Sequence, residues 1–212
     1  MLGLLYKDFF SAKKELLITA VMATTFVIYN AIIGQAEMLG PTIGVLISLG
    51  SMMPSYSLHY DKTTCWNKFI CASPISRLKV VLSKYLAGIV STLLATAIIV
   101  LNNAVSDFPI PLWSYPLLIC LILLIQSVMM PISLMLGQNA VIVVFMLLVF
   151  IPTGVFVALI KSGIWTDDAI HAALEFLQNN AATFLPLGIL LLLALYAGSF
   201  FLTYYFYKKM EF

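Results

Sequence analysis

Tyr115–Leu136 reads YPLLICLILLIQSVMMPISLML, and after Gly137-Gln138-Asn139 the chain resumes as AVIVVFMLLVFIPTGVFVALI over Ala140–Ile160. Neither run holds an Asp, Glu, Lys or Arg. Each is close to the ~20 apolar residues that a helix needs to cross about 30 Å of hydrocarbon. In lipid every backbone polar group must be satisfied inside the protein, which a helix does within one segment, and the strand-like alternation of a barrel is absent. Three residues between the runs make only a turn, so these helices are antiparallel neighbours.

The whole chain follows the same pattern. Of its 212 residues 62% are hydrophobic and 9% charged, against about 25% charged in a soluble domain, and the mean hydropathy is +1.06. Further apolar runs at Leu16–Ile33, Pro41–Leu58, Leu78–Leu101 and Leu185–Tyr207 bring the predicted spans to six. The predicted fold is an all-α polytopic membrane protein, residues 1–212 forming one transmembrane domain. Lys7, Lys13 and Lys14 precede the first run as they would in a signal peptide. That run exceeds an h-region of about 7–15 residues and lacks a small-x-small cleavage site, so it reads as a retained helix.

Lys and Arg resist translocation and collect on the cytoplasmic side. With the N-terminus inside, Lys7, Lys13, Lys14, Lys62, Lys68, Arg77, Lys79, Lys84, Lys208 and Lys209 all lie inside, and only Lys161 of the eleven basic residues lies outside. Both termini are therefore expected in the cytoplasm. Leu2, Leu5 and Phe9 recur at helical spacing, with Lys7, Asp8, Ser11 and Lys14 elsewhere on the wheel, so residues 1–14 are expected as an amphipathic interfacial helix. In the external segment 161–184, Trp165, Ile170, Leu174 and Leu177 repeat similarly among polar residues, which fits a second surface helix or a plain loop.

The chemistry that is missing narrows the function. The sequence has no phosphate loop, H-E-x-x-H or G-x-S-x-G motif. His59 and His171 fall on opposite sides of the membrane, Cys65 and Cys71 face the cytoplasm and Cys120 lies within a span, so neither a metal nor a disulfide is expected. The chain is not expected to be an enzyme, to hold a cofactor or to bind nucleic acid. Mid-span polar residues read as neutral, namely Asn30, Ser48, Ser51, Gln126 and Ser127, which argues against ion-coupled transport. Gly40, Gly44, Ser48, Ser51 and Ser55 form one face of small side chains, suited to helix packing or to a translocation path. Pro54, Pro131 and Pro152 should kink their helices.

The cytoplasmic stretch 59–77 carries the densest charge. Asp61-Lys62-Thr63-Thr64-Cys65-Trp66-Asn67-Lys68-Phe69, then Ser73-Pro74-Ile75-Ser76-Arg77 and Ser83-Lys84-Tyr85, resembles the loop between the second and third helices of bacterial ABC exporter permeases of the second type. The likeness extends over nearly the whole chain and is greatest to permease subunits of the phenol-soluble modulin exporters of Gram-positive bacteria. It implies a bacterial cell-membrane permease, paired with a second permease chain as homodimer or heterodimer. It also implies a separate ATP-binding cassette ATPase subunit that holds ATP and Mg. The loop is then a coupling element built from Asp61, Lys62, Trp66, Lys68, Phe69, Pro74 and Arg77, with Trp66 and Phe69 as aromatic anchors in a groove of the ATPase. The same two aromatics would equally serve as membrane-interface anchors. The implied function is export of an amphipathic peptide or similar amphiphile; the alternative is a membrane-embedded scaffold or sensor accessory without transport activity.

Overall fold

The computed structural model describes residues 2–33, 39–64, 66, 69–70, 75–105, 114–161 and 181–209. Among these, regular structure is entirely helical: α1 (Leu2–Ser11), α2 (Lys13–Ile33), α3 (Leu39–Thr63), α4 (Arg77–Val105), α5 (Ser114–Leu136), α6 (Gln138–Lys161) and α7 (Ala181–Lys209). Every expected span falls within one of the last six helices. By length and composition, three stretches are long and apolar enough to cross a membrane: Arg77–Ala104, Ser114–Leu136 and Pro186–Lys209. Shorter apolar stretches lie in α2 and α6.

Helix α3 is the hub, packing on α1, α2, α4, α5 and α6, while α7 lies against α4 and α5. The turn between α5 and α6 is made by Gly137 at φ +85°. Only glycine adopts that left-handed conformation without a Cβ penalty, which lets α6 begin one residue after α5 ends.

Two prolines determine how the helices interlock. Pro54 has no N–H to give the carbonyl of Gly50 one turn earlier, and Pro131 likewise frees the carbonyl of Ser127. Neighbouring helices supply the missing donors. Gln126 Nε2 on α5 and Ser91 Oγ on α4 donate to Gly50 O at 2.6 and 2.8 Å. Ser199 Oγ on α7 donates to Ser127 O at 2.5 Å. Gln126 Nε2 also reaches Gly88 O at 2.9 Å, and its Oε1 accepts from Tyr196 OH at 3.4 Å, so one amide ties α3, α4, α5 and α7 together. Lipid is as apolar as leucine and gives helices little hydrophobic reason to associate, so such bonds and close packing hold the bundle.

Close packing occurs where a side chain is missing. A Cβ at Gly50 would stand 3.0 Å from Ile122 Cγ2 and 3.1 Å from Ala95 Cβ, and one at Gly88 would stand 2.8 Å from Gln126 Oε1. The outward sides of α2, α4 and α7 expose Leu17, Ile18, Leu93, Leu101, Leu187 and Leu190 among others, as a lipid-facing surface does.

Candidate functional site: a charged, aromatic end of the bundle

Side-chain contacts gather the basic residues at one end of the bundle. Lys62 Nζ, at the end of α3, donates to Ser133 O and Leu134 O at 3.1 and 2.6 Å, capping carbonyls left open at the end of α5. Arg77 Nη1, opening α4, does the same for Lys208 O near the end of α7 at 2.6 Å. Cations at helix C-termini also meet the negative end of the helix dipole. Beneath them, Leu58, Ile70, Val80, Val81, Tyr85, Met130, Leu134 and Tyr207 form an apolar cluster against which Trp66 and Ile75 pack.

A four-charge cluster lies beside this one. Lys84 on α4, 2% exposed, lies 2.5 Å from Asp8 Oδ1 on α1 and 2.6 Å from Asp61 Oδ2 on α3. Lys7 on α1 pairs with Asp8 at 3.0 Å and also with Asp61. Ser57 Oγ donates to Asp8 Oδ1 at 2.8 Å and accepts from Lys84 at 2.6 Å, and Ser83 Oγ donates to Asp8 Oδ2 at 3.3 Å. Burial alone pushes the Asp8 carboxyl up, but the Lys84 and Lys7 charges with the Lys84 and Ser57 hydrogen bonds hold it below the usual carboxylate range. Burial likewise pulls Lys7 down, and the Asp8 and Asp61 carboxylates outweigh it, keeping its ammonium above the ordinary lysine value.

This cluster adds to the sequence reading, which counts Lys84 only among the inside lysines and names the mid-span polar residues as neutral. Lys84 counts in the sequence as one more inside lysine; in the fold it is buried, about two turns into α4, and needs two carboxylates from elsewhere in the chain. A signal was present: a lysine inside an apolar run, with unpaired-looking acids at Asp8 and Asp61. The segment expected as an interfacial helix, residues 1–14, also makes contacts that its spacing did not show. Leu5 and Phe9 pack on the cluster of Ala12, Met53 and Ala87 rather than pointing away from the protein, and Asp8 turns inward with them. Among the described side chains of α1, Tyr6 and Phe10 are exposed, at 74% and 57%.

The expected coupling residues divide into groups. Asp61 is buried in the charge cluster, Lys62 and Arg77 cap helix ends, and Lys68 and Pro74 lie outside the described residues. Trp66 is half-buried, with Phe69 at 5.1 Å between ring centroids and Lys7 Nζ 5.0 Å over its ring. Phe69 is 62% exposed. The small-residue face divides too. Ser51 and Ser55 are buried, Ser48 is half-buried, and Gly44 has no atom within 4 Å of a would-be Cβ, while Gly40 belongs to α3. The external helix suggested around 165–177 lies outside the described residues.

Membrane-length helices joined at a basic, partly aromatic end define a multi-pass helical membrane protein. The family model described as ABC-2 family transporter protein matches residues 3–208, and the chain belongs to that family. Membership makes it the membrane permease subunit of an ABC transporter, the non-catalytic part, with ATPase activity in a separate cassette protein. No curated protein and no solved structure matches the chain.

Proposed function

We propose that this permease subunit serves an ATP-driven exporter, receiving conformational change from its ATPase through the 59–77 loop and passing it to six transmembrane helices. The observation that carries the reading is Phe69, exposed beside half-buried Trp66 at the basic end of the bundle. A large aromatic in water is a poor surface residue and a good anchor for a partner groove. Trp66 is rooted in the apolar cluster around Leu58 and Tyr85, so force applied to the pair reaches the helices directly.

In this reading the basic end is cytoplasmic, as are both termini, and the chain spans the bacterial cell membrane as one domain. Tyr6, Phe10 and Lys13, whose Nζ stands 4.0 Å from the Phe10 ring, set α1 in the inner headgroup region. Trp66, Lys68, Phe69 and Pro74 meet the ATPase, while Asp61, Lys62 and Arg77 hold the root of the loop. Gly44, with no atom within 4 Å of a would-be Cβ, leaves its part of α3 open to a second permease chain or to a translocated amphiphile such as an amphipathic peptide, and Gly40 and Ser48 continue the same face in the sequence.

The test is recovery of the ATPase with detergent-extracted permease. Changing Trp66 and Phe69 together to Ala should weaken binding at least thirtyfold, since hot-spot aromatics are each worth ~2 kcal/mol or more, with membrane insertion unchanged. Full binding by the double variant would leave the pair as interfacial anchors and remove the basis of the coupling assignment.

A further inference from the structure

The four-charge cluster has an unusual division. Two of its members, Lys7 and Asp8, come from α1, and two, Asp61 and Lys84, come from the ends of α3 and α4 that α1 covers. Each half contains one cation and one anion. A buried ion pair split between two parts of a protein strongly resists separation, because parting it leaves an uncompensated charge on each side. Here separation along the α1 boundary leaves no net charge on either side. Asp61 and Lys84 already lie 2.6 Å apart and Ser57 stays hydrogen-bonded to Lys84, while Lys7 and Asp8 depart together, already paired at 3.0 Å.

The rest of the α1 contact is small. Leu5 and Phe9 pack on Ala12, Met53 and Ala87, and Leu4 touches the neighbouring apolar cluster. Lys7 is shared between the two systems: the same ammonium that pairs with Asp8 and Asp61 stands over the Trp66 ring. A displacement of Trp66 therefore acts on Lys7 as well as on the apolar cluster beneath it.

We propose that Lys7, Asp8, Asp61 and Lys84 form a releasable latch, in which movement of Trp66 unseats α1 from α3 and α4 while each half of the charge cluster stays neutral. The latch rests on the exporter reading above and names its positioning residues. Seated, α1 clamps the ends of α3 and α4 together through crossed pairs, Lys84 with Asp8 and Lys7 with Asp61. Released, α3 and α4 are joined there by Asp61 and Lys84 alone and are free to shift against one another.

The experiment uses the full-length permease with its co-purifying ATPase in phosphatidylglycerol/phosphatidylethanolamine vesicles. Phe9→Cys and Ala87→Cys are placed in a background with Cys65, Cys71 and Cys120 changed to Ser. Disulfide yield between the two positions should be high without nucleotide and fall several-fold when ATP and vanadate trap the ATPase closed; an equal yield in both states overturns the latch. A second arm replaces the cluster by apolar side chains of similar size, Lys7→Met, Asp8→Leu, Asp61→Leu and Lys84→Met, in the same cysteine pair. Such a replacement generally keeps the fold. It should retain the ATPase yet show disulfide yield that no longer responds to nucleotide. A response equal to that of the native cluster would show that the charges only hold the fold together, and overturns the proposal. If this variant does not insert, the first arm decides alone. In the chain with the native charge cluster, an equal yield in both nucleotide states with the ATPase still recovered is failure of the latch alone, whereas failure of the exporter reading is recovery of no ATPase by that chain.

Discussion

Lys84 shows how much a single residue depends on distant parts of the chain. Its ammonium is buried among Asp8, Asp61 and Ser57, contributed by two other helices. Lys84→Met leaves two carboxylates facing one remaining lysine, and removing one partner of a buried charge arrangement costs about 3–5 kcal/mol. Adding Asp61→Leu restores neutrality, leaving Lys7 with Asp8, and should recover most of that loss. Unfolding by denaturing detergent in mixed micelles measures both; a double variant no more stable than Lys84→Met would show that packing rather than charge balance sets the cost.

At the scale of elements, the same logic separates α1 from the helices that glycines bring together. Leucine at Gly50 would drive against Ile122 and Ala95, where overpacking costs about 1–3 kcal/mol or more. Leucine at Gly44 meets open space, so Gly44→Leu should leave the stability of the single chain unchanged and alter only association with another chain, read by cross-linking in membranes. If Gly44→Leu unfolds the chain as readily as Gly50→Leu, the packing described for α3 is wrong. Seating of α1 has a pH signature. Asp8 is depressed in the seated state, so its contribution is present above the free carboxylate pKa of ~3.9 and is lost as pH falls through the seated value below it. Lys7 is raised, so its contribution is present below its ordinary 10.5 and is lost as pH rises through the seated value above it. Spin labels at Gly3 and Lys79 should therefore report release on acidification below about pH 4, as the Asp8 carboxylate takes up its proton. A transition near neutrality would contradict the directions of both shifts.

For the molecule as a whole, the contacts of Lys7, Lys62, Arg77, Lys84 and Lys208 gather charge at one end, which the proposed topology places in the cytoplasm. Cysteine at Thr64 or Lys79 should resist impermeant maleimide in intact cells and react after permeabilisation. Labelling of Thr64→Cys from outside would invert the topology and remove the loop from any cytoplasmic ATPase.

The helical class, the positions of the long apolar helices, the tight turn at Gly137 and the collection of positive charge were legible in the sequence, because each follows from local composition: apolar length, a three-residue link, and lysines clustered between apolar runs. The prolines were legible as missing backbone donors, but not that Gln126, Ser91 and Ser199 would supply the donors that Pro54 and Pro131 withhold, since those residues lie on other helices. The small-residue face of α3 was visible as a pattern, yet the pattern did not say that helices meet at Gly50 and Gly88 rather than at Gly44. Lys84, Asp8 and Asp61 carried the least local signal of all. A charge reads as exposed until something buried is found to neutralise it, and residues separated by 54 and 76 positions meet only because α3 and α4 pack side by side with α1 lying across their ends.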